Sequence, residues 1–145
     1  MSVEQVAREF ITKMDDMEEM KRRISPDAVA SGGVLPQPIP AMEALKMMSG
    51  LTDAFPDLKF DIQKVAVNGD QATVTVEWGG TQSGPMSFPI PGMPSIPPTG
   101  KKVSVQDAYV LTVKDDKVSR IQVESPAGGG IPGALMQLGV KMPGM

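Results

Sequence analysis

Residues 58–78, LKFDIQKVAVNGDQATVTVEW, carry the pattern that decides the fold. In their second half Ala72, Val74, Val76 and Trp78 alternate with Gln71, Thr73, Thr75 and Glu77. Successive side chains of a strand point to opposite faces, so a period of two predicts a strand with one apolar and one polar face. Asn68, Gly69 and Asp70 stand just before it. Asn and Gly tolerate the positive φ of a tight turn, which makes the run ahead of them the partner strand of a hairpin. In that run Phe60 and Ile62 share one parity while Val65 and Val67 share the other. A parity switch inside one strand takes an extra residue, which places a bulge near Gln63 and Lys64 and bends the strand. A bent strand suits a curved sheet.

Two further strands follow downstream, over 101–113 and 117–124, with a tight turn at Asp115 and Asp116 between them. Between the Trp78 strand and the next lies a segment with Pro85, Pro89, Pro91, Pro94, Pro97 and Pro98. So many prolines exclude a central strand, because each removes a ladder donor. Met86, Phe88, Ile90, Met93 and Ile96 are interleaved with them. Residues 85–98 therefore read as a lid, a binding loop or an interface arm, with a passive loop as the plainer alternative.

Upstream, Ser2 and Gln5 form a capping box, and Val3, Val6, Phe10, Met14 and Met17 follow at helical spacing, predicting a first helix over 1–24. Its acidic run Asp15, Asp16, Glu18 and Glu19 has Lys21, Arg22 and Arg23 beside it. Adjacent carboxylates on a helix point apart, so this is read as a solvated face rather than a metal site. Residues 25–40 read as a loop with at most one short strand. A second helix is predicted over 41–55, with Met42, Leu45, Met48, Leu51 and Phe55 on one stripe, stopped by Pro56. The tail, 125–145, holds Gly128, Gly129 and Gly130 and then a short helical piece, Ala134 to Leu138. With no Lys followed by Ser or Thr behind them, these glycines are read as a connector and not as a phosphate loop. Helices followed by hairpin-linked strands predict an α+β fold: an antiparallel sheet with helices on one face.

At 145 residues the chain suits one domain. A net charge of −3 gives no basic footprint for nucleic acid. No apolar run approaches the roughly 20 residues of a membrane span, and residues 1–10 lack the features of a secretory signal, so a cytoplasmic location and no membrane partner are expected. There is no cysteine and no histidine. Acid–base chemistry near neutral pH then falls to Asp, Glu, Lys or Tyr. No spaced carboxylate cluster and no nucleotide motif is present, so no metal and no cofactor is expected.

Five short stretches together resemble the SnoaL-like polyketide cyclases of the nuclear transport factor 2-like (NTF2-like) superfamily. They are Phe55-Pro56-Asp57; Asn68 to Asp70; Gly80-Thr81-Gln82-Ser83-Gly84; Pro98-Thr99-Gly100-Lys101; and Gln137-Leu138-Gly139. Order and spacing agree with the family over roughly 40–140. The resemblance implies a cone-shaped curved sheet with the N-terminal helices enclosing a pocket, a hydrophobic small-molecule ligand and a homodimer formed through the outer sheet face. It also marks departures. Where the family usually carries a histidine this chain has Gln82, and the position of the family's cyclase aspartate falls near Pro126.

Asp107 is the first candidate for chemistry. Along Val103, Val105, Asp107, Tyr109, Leu111 and Val113 it has the parity of the apolar set, which puts a carboxylate on a buried face unless Ala108 and Val110 define that face instead. Burial raises the pKa of a carboxyl toward values useful in proton transfer unless a partner holds the charge. Glu124 is the second candidate. Propensity sends it to solvent with Gln122, whereas the family resemblance implies a pocket role for both. Gln82 could hydrogen-bond a carbonyl but cannot act as a base. Trp78 and Tyr109 are read as core or pocket wall, and Phe88 and Met93 as apolar ligand contacts of the long loop. Two functions remain open: a cyclase-like or isomerase-like catalyst acting on a hydrophobic carbonyl compound, or a ligand-binding or dimerisation module that has lost the chemistry. Epoxide hydrolysis by a carboxylate network is a third.

Overall fold

A computed structural model describes residues 2–14, 16–32, 37–86, 95–126 and 128–139, with backbone alone described at 17, 47–51, 131 and 132. Its elements run α1 (Val3–Thr12), α2 (Met17–Arg23), β1 (Ile24–Gly32), β2 (Ile39–Pro40), α3 (Ala41–Ala54), β3 (Lys59–Asn68), β4 (Gln71–Thr81), β5 (Lys102–Lys114), β6 (Lys117–Val123) and α4 (Gly130–Gln137). The six strands form one curved, unclosed sheet in the order β2-β1-β6-β5-β4-β3.

The meander from β3 to β6 follows the sequence pattern closely. Asn68 pairs with Gln71 across a turn in which Gly69 has φ 64°, a conformation open to glycine and strained for most other residues. The register of β3 slips between Ile62 and Lys64, where the parity switch predicts a bulge. At the β5–β6 turn both Asp115 (φ 52°) and Asp116 (φ 61°) are left-handed, the geometry a two-residue hairpin turn demands.

The N-terminal region departs from expectation. The predicted helix over 1–24 is two helices, because Asp16 accepts the Glu18 and Glu19 amides as the cap of a new one. Arg23 on α2 bonds both Glu19 and, across the break, Glu9 on α1. Where only a short strand was expected, β1 spans nine residues and pairs with β6 in parallel, while every other strand pair is antiparallel.

Helix α1 lies across β3, β4, β5 and β6. It buries Val6, Ala7, Phe10 and Ile11 against the sheet face lined by Ala72, Val74, Val76, Trp78, Val103, Val105 and Leu111. Burying a side chain of this size stabilises by about 1.5–3 kcal/mol, so this face supplies most of the drive to fold. Helix α3 packs on β1 and β2, and α4 on β5.

Candidate functional site

Alternation along β5 settles which face Asp107 occupies. Val103, Val105, Asp107, Tyr109, Leu111 and Val113 are all buried, whereas Ala108 and Val110 are half-buried on the other face. Asp107 is 4% exposed. Its Oδ1 accepts from the Ser125 hydroxyl at 2.9 Å and from the Ala108 amide at 3.1 Å. Its Oδ2 accepts from the Tyr109 hydroxyl at 3.3 Å and from the Trp78 indole N–H at 3.4 Å. Tyr109 reaches it because residues i and i+2 of a strand share a face, and Trp78 because β4 pairs Val76 with Asp107 and so sets Trp78 on the diagonal.

Among the described residues no lysine or arginine lies within ion-pair distance of Asp107. An isolated buried carboxylate is costly, by several kcal/mol, and hydrogen bonds to a charged group each return about 1.5–3 kcal/mol. The four donors fill the acceptor capacity of one carboxylate. The charge is thus held by neutral dipoles rather than by a counterion. Tyr109 feels the other side of this arrangement. Burial first, and then the negative charge and hydrogen bond of Asp107, hold its phenol well above the usual value, so it stays a proton donor at neutral pH.

Helix α4 closes the site. Gly129 lies so close to the Gln106 carbonyl that a Cβ there would be 2.3 Å from its oxygen, and a Cβ on Gly130 would be 2.3 Å from Ser125 Oγ and 3.5 Å from Asp107 Oδ2. Gly130 also has φ 62°. Gly129 and Gly130 are therefore a close-packed collar beside the serine and the carboxylate, and of the three glycines only Gly128 has the open surroundings of a connector.

The other predicted site residues lie elsewhere. Gln82 is fully buried, but its amide is spent on its own loop: Nε2 donates to the carbonyls of Gly84, Ile96 and Pro97 at 3.2–3.4 Å, and Oε1 accepts from Thr99 N (3.2 Å) and Thr99 Oγ1 (2.6 Å). It has no capacity left for a ligand. Gln122 pairs with Val110 and so sits on the outer face, where its amide bonds the exposed Glu124 at 3.4 Å. Neither shares the face of Asp107, which removes the closed environment a Glu124 base would need. Phe88 and Met93 lie outside the described residues. Asp107, Trp78 and Tyr109 are brought together. Ser125 joins them unpredicted, and its one signal in the sequence is a small hydroxyl just past the strand that pairs with β5.

The chain matches the SnoaL-like polyketide cyclase family over residues 2–123. No curated protein sequence matches it. Among solved structures it is similar to AclR from Streptomyces galilaeus, a candidate hydroxylase (22% identity, 99% of this chain and 83% of that one, TM-score 0.75). IdmH from Streptomyces antibioticus, a candidate polyketide cyclase, is similar too (21%, 97% and 100%, 0.73). So is a candidate SnoaL-like cyclase from Jannaschia sp. CCS1 (21%, 88% and 90%, 0.68). These likenesses establish the fold. No helix among the described residues is long and apolar enough to cross a membrane.

Proposed function

This chain belongs to the SnoaL-like polyketide cyclase family, and from that premise we propose that it binds a hydrophobic carbonyl compound and uses Asp107 as general base. The observation that carries the reading is a buried carboxylate with no cation beside it among the described residues, held by side-chain donors on an otherwise apolar sheet face. A base in such a place meets its substrate without competing water, which strengthens every electrostatic contact it makes. Asp107 takes the proton from the carbon next to the carbonyl, and the C–H electron pair becomes the π bond of an enolate. The Tyr109 hydroxyl turns from Asp107, by then protonated, to the developing oxyanion. The enolate carbon then attacks a second carbonyl in ring closure, breaking its π bond to an alkoxide that takes the proton back from Asp107, or the enolate takes that proton back at another position in an isomerisation. The two bonds to Oδ2 are the longer pair, so this oxygen is the one freed at least expense.

A thermal-shift and turnover screen with aromatic polyketones and steroid ketones, on the wild type and on Asp107→Asn, tests this. A ligand that binds only the folded chain raises Tm. The expected outcome is a ligand bound by both proteins and turned over by the wild type alone. Turnover surviving in Asp107→Asn sinks the mechanism. Binding with no turnover in either points to the rival reading, a ligand-binding module of the same fold.

A homodimer through the outer sheet face is the second part of the proposal. Half-buried Thr73, Thr75, Ala108 and Val110 make the centre of that face uncharged, and depletion of charge marks the core of a protein interface. Sedimentation across a concentration series is expected to show a dimer, and a monomer at the highest concentration would refute it.

A further inference from the structure

We propose that α4 is a gate over Asp107, latched at its far end by the side chain of Gln137. The proposal rests on the reading that Asp107 meets a ligand. At 4% exposure the carboxylate is reached only if something moves, and the elements around it are not equally free to do so. On the sheet side β4 and β5 pair along their whole length, from Gln71 with Thr112 to Thr81 with Lys102. On the other side lies the first turn of α4, a helix whose principal packing is on β5, with Ala134, Leu135 and its C-cap Leu138 buried. That helix has little intrinsic stability, with Gly130, Pro132 and Gly133 among its eight residues. Gly128 (φ 76°), just ahead of it, is exposed and has no heavy atom within 4 Å of where a Cβ would stand, so it can serve as the hinge.

The latch is specific. Strand β6 pairs with β5 only from Tyr109 to Lys114, which among the described residues leaves the backbone of Ser104 without a strand on that side. Gln137 takes the vacant place: its Oε1 accepts from Ser104 N at 3.0 Å and its Nε2 donates to Ser104 O at 2.8 Å. One amide side chain thus closes the helix onto the sheet with two solvent-facing bonds that water can replace on opening. The closed position is defined by contact, since a Cβ on Gly129, the N-cap of α4, would stand 2.3 Å from the Gln106 carbonyl oxygen of β5. A helix that docks closely yet is held at its end by exchangeable bonds has two discrete positions, and in the open one the Oδ2 edge of Asp107 faces solvent.

The single tryptophan reports on that edge, because Trp78 donates to Asp107 Oδ2 and is 2% exposed. Native-state hydrogen exchange and acrylamide quenching of Trp78 are compared in the wild type and in Gln137→Ala. We expect the Gly133 and Leu138 amides to exchange ahead of the β4 and β5 ladder, and to exchange about fivefold faster in the variant while the ladder is unchanged. Quenching of Trp78 rises with them. Gly129→Ala, whose Cβ would meet the Gln106 carbonyl and prop the helix off its seat, is expected to raise quenching further. Exchange of α4 together with the ladder in both proteins overturns the gate. Faster α4 exchange with unaltered quenching does so as well, since it describes a helix that frays without uncovering the site. Neither readout uses a substrate, so the gate stands or falls separately from the acid–base role that Asp107→Asn tests.

Discussion

Among the described residues two polar side chains are buried, Gln82 and Asp107, and they are satisfied in opposite ways. Gln82 is neutral and bonds mainly main-chain groups of its own loop: the Gly84, Ile96 and Pro97 carbonyls and the Thr99 amide, with the Thr99 hydroxyl besides. Together with the backbone pair between Met86 and Ile96 it fixes the base of the long loop to the sheet. Asp107 is an acid, and three of its four donors are side chains, drawn from β4, β5 and the segment after β6. Main-chain partners cannot leave without refolding the segment that carries them, whereas side-chain partners can rotate away. The first arrangement suits a fastening and the second suits a group that must change partners.

The sharpest way to break this contrast is to exchange the chemistry at the two positions without changing shape. Gln82→Glu sets a carboxyl oxygen against three carbonyl oxygens in a fully buried site, and is expected to destabilise by about 4 kcal/mol in urea unfolding. The introduced carboxyl has its folded pKa raised above the unfolded value. Its least harmful state is therefore the protonated one, and the loss of stability grows as pH rises through that range. A loss under about 1 kcal/mol would mean the loop base rearranges freely, and Gln82 would no longer count as a fastening.

A second test uses the only tyrosine. With its folded pKa held up by burial and by Asp107, Tyr109 stabilises the fold fully below the unfolded value near 10, and the contribution is lost as pH rises toward the folded one. The expected slope is about 1.4 kcal/mol per pH unit above roughly pH 10, absent in Tyr109→Phe. Phenolate absorbance is expected to appear together with unfolding. Its appearance in the folded chain near pH 10 would place the phenol in solvent.

The smallest expected effect is that of Asp107→Asn, about 1–2 kcal/mol in the same unfolding assay, since losing charge-assisted bonds is partly offset by no longer burying a charge. A loss matching that of Gln82→Glu would make Asp107 as structural as its counterpart and collapse the comparison.

The difference also decides what could be read from the sequence. Period two along β4 and β5, the parity switch at Gln63 and Lys64, and the parity of Asp107 are local properties of strands, and each appears where the pattern places it. The family resemblance through short loop motifs agrees with the match over residues 2–123. Less legible was whatever depends on the chain meeting itself at a distance. Asp16 followed by Glu19 carries the signature of a helix start, yet the apolar spacing on either side of it hides the break. The β1–β6 pairing leaves no turn signal, because a parallel pair has no hairpin. Gln82, Ser125 and the glycine collar are ordinary loop residues until the loop base and α4 fold against them.

That parallel pair bears on how the chain assembles. Each hairpin of the β3–β6 meander closes over a few residues except the one spanning the long loop, whereas the Ser25 hydroxyl and the Val118 carbonyl that it bonds stand 93 positions apart. Closing so large a loop carries a greater entropic barrier, so the meander is the natural nucleus and β1 the late arrival. Until β1 docks, the β6 edge is open to any passing strand, and the moment of greatest aggregation risk during synthesis falls there, after the face that carries Asp107 is formed and before its N-terminal edge is sealed.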